Sequence, residues 1–177
     1  ALLRSDPDTW RRLMDRLATI VRAHLVAQVE AGAQAVQVFD SWVGTLDDAT
    51  YRRMVLPWTR RAIEDLEVPA IHFAVGAPHL LGAFGEIAVD AIGVDWRLPL
   101  DDAWRAIGDR AIQGNLDPAV ALAPWETIER ETLDVLRRAD GRPGHVFNLG
   151  HGVLPDTPVE HLRRLVDLVH DRTERVR

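Results

Sequence analysis

Cysteine is absent from the 177 residues. That gap excludes a disulfide framework, a thiol nucleophile, an iron–sulfur cluster and cysteine-ligated zinc. No apolar run reaches the roughly 18 residues of a membrane span, and the stretch from Asp8 to Glu30 is too charged for a signal peptide. Cationic excess is lacking as well. The net charge of -6 argues against a nucleic-acid partner, because phosphate binding needs a basic face, but it leaves room for small anions at a local arginine cluster. No G-x-G-x-x-G follows any apolar run, which speaks against dinucleotide binding. H-x-H and H-E-x-x-H spacings are missing too, so His72, His79, His145 and His151 are not expected to form a metal site. What remains is a cytoplasmic enzyme with no membrane or nucleic-acid partner, and 47% apolar residues suffice for a real core. The first residue is Ala1 rather than Met, directly before a helical pattern. A processed chain or a piece of a longer one is therefore expected.

What is present is an alternation of short apolar runs with longer amphipathic stretches. Trp10, Leu13, Leu17, Ile20, Val21, His24, Leu25 and Val29 recur at helical spacing after the start signal Asp6-Pro7, and Gly32 ends the run. Strands are predicted at Ala35–Phe39, within Val68–Val75 and centred on Ala70–Phe73, at Ala91–Asp95, at Ala111–Asn115 and at His145–Asn148. Helices are predicted from about Asp47 to Glu67 with an interruption at Pro57, around Pro78 to Val89, at Leu100–Ile107, from Pro124 to Ala139, and from Pro158 to about Val176. Five strands, each followed by a helix and each apolar almost throughout, describe a parallel α/β domain. No linker interrupts the chain, so 1–177 reads as one domain. Periodicity leaves two architectures open: a doubly wound five-stranded sheet, or part of a (β/α)8 barrel.

Either architecture puts its site at the C-terminal ends of the strands. Asp40 and Ser41 follow the first strand and can hydrogen-bond a polar ligand. Equally, they can satisfy their own loop. No G-x-S-x-G elbow surrounds Ser41, so it is not read as a nucleophile. Arg97 carries a planar guanidinium suited to a carboxylate, though an ordinary solvated arginine fits the residue type too. Gln113 and Asn115 alternate onto one face of their strand, where they serve a ligand or each other's neighbourhood. Asp95 has the same ambiguity. Asp117-Pro118 is explained by helix capping. His151 lies between two glycines that permit close backbone approach.

At these strand ends the sequence resembles the uroporphyrinogen decarboxylase family. Phe39-Asp40-Ser41-Trp42 with Gly44 resembles the family's serine-bearing segment. Val94-Asp95-Trp96-Arg97, Gln113-Gly114-Asn115-Leu116-Asp117-Pro118, and Asn148-Leu149-Gly150-His151-Gly152 with Pro155-Asp156 resemble three further motifs, in the same order and spacing. The resemblance implies a homodimeric (β/α)8 barrel that converts uroporphyrinogen to coproporphyrinogen by removing the carboxylates of four acetate side chains. It implies no metal and no organic cofactor, since the reduced pyrrole serves as its own electron sink. Ser41 and His151 match substrate-contacting positions, and Arg97 and Asn115 join them as candidates. The five strands correspond to the fourth to eighth of the barrel.

The family's arginine-bearing N-terminal motif, its pocket aspartate and the tyrosine ahead of the serine segment have no counterpart here. The sole tyrosine, Tyr51, falls in a helix. No catalytic group is therefore assigned to this chain, which alone is expected to be inactive. Its first and last strands would lack neighbours, so the chain is expected to self-associate, to pair with a chain that supplies the first three strands, or to rearrange into an open sheet. Two rivals stand beside this reading. One is a corrinoid-methyltransferase-like relative on the same barrel, disfavoured because those proteins use thiolate zinc ligands. The other is a non-catalytic half-barrel that binds a partner or a tetrapyrrole.

Overall fold

The computed structural model describes residues 2–173. They fall into two compact units, Ala1–Ile92 and Gly93–Arg177.

In the first unit a single helical turn, α1 (Leu2–Ser5), precedes the long helix α2 (Pro7–Glu30). Asp6 caps α2 by accepting from the Thr9 amide at 3.0 Å, and Pro7 sits in the first turn, where its missing N–H is not needed. The Thr9 hydrogen bonds hold the Asp6 carboxyl below its ordinary range. The helix predicted from Asp47 to Glu67 forms as two, α3 (Asp48–Met54) and α4 (Leu56–Ile63). Pro57 cannot continue a helix but can start one, so it occupies the first turn of α4. Asp47 caps α3, accepting from the Thr50 amide at 2.8 Å and its hydroxyl at 2.7 Å. Strand β1 (Val36–Phe39) runs parallel to β2 (Ala70–Phe73), with Val36 opposite Ala70 and Phe39 opposite Phe73. After β2 the predicted helix shrinks to a 3-10 turn at Pro78–Leu80 and one α-helical turn, α5 (Leu81–Phe84). Strand β3 (Ala91–Gly93) straddles the end of the unit. Tyr51, Leu80, Phe84 and Ile87 fill the core and are inaccessible or nearly so.

The second unit contains α6 (Leu100–Ile107), β4 (Ala111–Leu116), a 3-10 turn at Pro118–Leu122, α7 (Trp125–Ala139), β5 (His145–Leu149) and α8 (Val159–Thr173). The last predicted helical residues, up to Val176, lie outside the described residues. α7 ends at Asp140, whose positive φ of 52° turns the chain out of the helix. β4 and β5 pair in parallel, Ile112 opposite His145 through Leu116 opposite Leu149. Nearly every residue of β4 is buried, as in a parallel strand covered on both faces. β5 alternates instead: His145, Phe147 and Leu149 are partly covered while Val146 and Asn148 are exposed, the pattern of a strand covered on one face. The strand order is β1-β2-β3-β4-β5. Leu100, Ile112 and Ile128 anchor this core at no measurable exposure, each contributing about 1.5–3 kcal/mol by leaving water.

Candidate functional site

β1 delivers Phe39, Asp40, Ser41 and Trp42 to its C-terminal end. Side chains alternate along an extended chain. Phe39 turns to one face, where its ring meets Phe73 edge-on with centroids 5.7 Å apart. Asp40 turns to the other, with Oδ2 buried and 3.6 Å from His72 Nε2. Ser41 is half-buried in the following turn, and Trp42 stands 86% exposed. A Cβ on Gly44 would lie 2.8 Å from the Val75 carbonyl oxygen and would overlap the Gly76 carbonyl, so only glycine lets the loops after β1 and β2 touch.

Behind Asp40 lies a cluster that the sequence reading missed. His72, wholly buried on β2, contacts the Phe84 ring at 4.7 Å, and Phe84 meets Tyr51 edge-on at 5.4 Å. Neither His72 ring nitrogen, nor Tyr51 Oη, nor Asp40 Oδ2 makes a hydrogen bond. Burial first, and then the charge of Asp40, push the Tyr51 phenol well above its ordinary range. The available signal was a histidine in an otherwise apolar strand, Ala-Ile-His-Phe.

In the second unit Asp95 is 5% exposed. Its carboxylate accepts from the Arg97 amide at 3.1 Å and is ion-paired with the Arg97 guanidinium, which also lies over the Trp96 ring at 4.3 Å. The Arg97 side chain remains 46% exposed. Asn115 is buried, and its amide nitrogen donates to Asp95 O at 3.0 Å and Leu98 O at 2.7 Å. It thus ties β4 to the loop after β3. Asp117 accepts from the Ala119 amide at 2.9 Å, the capping role anticipated for it. Arg97, Asn115 and Asp117 line one cavity of about 360 Å³ together with Trp96 and Arg138. His151 stands exposed in the loop after β5. The Gly150 amide before it donates to Leu116 O at 2.6 Å, and a Cβ there would lie 2.7 Å from Trp96 N. Among the described residues no group of three or more His, Asp or Glu gathers as metal ligands would, and no helix is long and apolar enough to cross a membrane.

The uroporphyrinogen decarboxylase (URO-D) family model matches residues 1–172. The chain belongs to that family. It is 55% identical over 179 residues to the uroporphyrinogen decarboxylase of Streptomyces coelicolor, covering 99% of this chain and 50% of that protein. It is 48% identical to the Roseiflexus enzyme of the same name, covering 97% of this chain and 52% of the relative. The chain thus spans about half the length of the curated relatives it matches. Among solved structures, a methyltransferase from Methanosarcina mazei superposes with a TM-score of 0.79 at 18% identity, over 89% of this chain and 48% of that one. A B12-independent methionine synthase from Shewanella gives 0.68 at 13%, over 86% and 51%. These likenesses concern the fold: the five parallel strands and their helices are part of a (β/α)8 barrel.

Proposed function

We propose that this chain is part of a carboxy-lyase that converts uroporphyrinogen III to coproporphyrinogen III without metal or organic cofactor. The observation that carries this reading is the 55% identity to a uroporphyrinogen decarboxylase over 99% of the chain. In the reaction the bond between an acetate methylene and its carboxylate breaks and carbon dioxide leaves. The electron pair passes into the protonated pyrrole, a second proton completes the methyl group, and the ring gives up its first proton to restore the pyrrole. Ser41, Arg97, Asn115 and His151 are assigned to substrate contact, each at or just beyond the C-terminal end of a parallel strand, where ligands bind in such folds. Arg97 has donors beyond those Asp95 takes, so it suits a substrate carboxylate. Asn115 also ties down the loop that carries Arg97. The working molecule is a closed cytoplasmic barrel domain that assembles as a homodimer, and β1 and β5 are the strands at which the rest of the barrel joins.

The test supplies uroporphyrinogen III and follows coproporphyrin fluorescence after oxidation. The 177-residue chain alone is expected to turn over negligibly and to self-associate in light scattering. Combined with a chain supplying three further βα units it is expected to gain activity, and His151→Ala should then lower turnover about 10²-fold. Full activity of the isolated chain, or none from the assembled barrel, overturns the reading.

A further inference from the structure

The register of β1 on β2 places Val38 opposite His72. Asp40, two residues beyond Val38, therefore shares its face with His72. Pairing persists that far, because the Asp40 amide donates to Phe73 O at 2.8 Å. Asp40 Oδ2 and His72 Nε2 face each other at 3.6 Å, and neither makes a hydrogen bond. A buried polar atom left alone is costly, so each is the partner within reach of the other. The His72 ring is held against Phe84, which limits its freedom to turn elsewhere.

We propose that His72 is a positioning residue that directs its Nε2–H at Asp40, holds that carboxylate on the side of the strands packed against Tyr51 and Phe84, and so fixes the turn that carries Ser41, the next residue. The loop is then fixed at two points, Asp40 against His72 and Gly44 against Val75-Gly76, with Ser41 between them. The ligand arm of the proposal rests on the assignment of Ser41 to substrate contact.

Three measurements on the 177-residue chain decide it. Nitrogen-15 NMR should find the His72 proton on Nε2, with a resonance that shifts in Asp40→Ala. Hydrogen exchange at the Ser41 to Val43 amides should quicken about tenfold in His72→Leu. It should return in His72→Gln, which keeps an N–H at similar reach, and stay unchanged in α7. With coproporphyrin III as the probe, Ser41→Ala and His72→Leu should weaken binding by similar factors, and the double variant should lose no more than either. If His72→Leu does not fold, Asp40→Ala serves for the exchange and binding comparisons. A proton on Nδ1, unchanged exchange, or no recovery in His72→Gln overturns the assignment, and additive losses in the double variant overturn the link to Ser41. A wild-type chain that ignores coproporphyrin III counts against the decarboxylase site, while NMR and exchange still decide His72.

Discussion

The two units secure their strand ends by opposite means. In the second, polar groups are tied to one another: Asn115 donates to two carbonyls, Asp95 holds the Arg97 amide and guanidinium, and the Gly150 amide reaches Leu116 O. In the first, Asp40, His72 and Tyr51 bring buried polar atoms together without hydrogen bonds, and the loop is held by the close fit of Gly44 and by His79, whose Nε2 lies 2.8 Å from Leu46 O. A strand end held by a network resists small displacements, because moving one member unsatisfies several. One held by packing and by a single facing pair, as Asp40 and His72 are at 3.6 Å, has fewer linked groups to resist a displacement.

The sharpest way to break the comparison is to fill both close approaches. Gly44→Ala must push against the backbone of Val75 and Gly76 and is expected to cost about 3 kcal/mol. Gly150→Ala, which meets the Trp96 backbone, should cost nearly as much, and urea melts of both variants measure this. Next comes the network itself. Asn115→Ala leaves the Asp95 and Leu98 carbonyls without their donor and is expected to cost about 2 kcal/mol. The smallest effect has the opposite sign. Tyr51→Phe removes a buried hydroxyl that completes no hydrogen bond, although the Thr59 side chain interacts with it, and is expected to gain at most about 1 kcal/mol. Its pH dependence sharpens the point. The folded phenol keeps its proton above the ordinary tyrosine value near 10, so this group leaves wild-type stability unchanged below that pH and lowers it as pH rises further, where only the unfolded state releases the proton. Tyr51→Phe should flatten that alkaline decline in melting experiments at pH 9 to 11.

Much of the fold was legible because local chemistry sets it. The strands expected at 35–39, around 70–73 and at 145–148 formed within a residue of those positions, Asp6-Pro7 started a helix, and Pro57 restarted one. The short helix after Pro78 was overestimated, since an apolar run does not reveal where a turn will interrupt it. The face of α2 was not legible either. Leu13, Leu17 and Ile20 follow helical spacing yet are 41% to 56% exposed, while Ala18 and Leu25 are buried; periodicity defines a stripe but not what covers it. At the strand ends, motif positions located Arg97 and Asn115, but the partners of Asn115 lie 17 and 20 residues away. The pairing of Asp40 with His72 crosses from one strand to the next. Such contacts exist only once the register is fixed, and no local pattern encodes them.

The exposure of Trp42 gives the protein a built-in optical gauge. Of its six tryptophans, Trp10 and Trp104 donate their indole N–H to Met54 O and Arg110 O, and Trp96 and Trp125 lie beneath the guanidinium groups of Arg97 and Arg164. Trp42 is 86% exposed, one residue past Ser41. Iodide or acrylamide should therefore extinguish a red-shifted component of the emission before the rest, and that component belongs to the loop after β1. A porphyrin absorbs near the wavelengths at which tryptophan emits, so one settling beside Ser41 would dim the same component by energy transfer. The residue that looks least integrated into the fold is thus the one through which occupancy of the loop can be watched in real time, without a label.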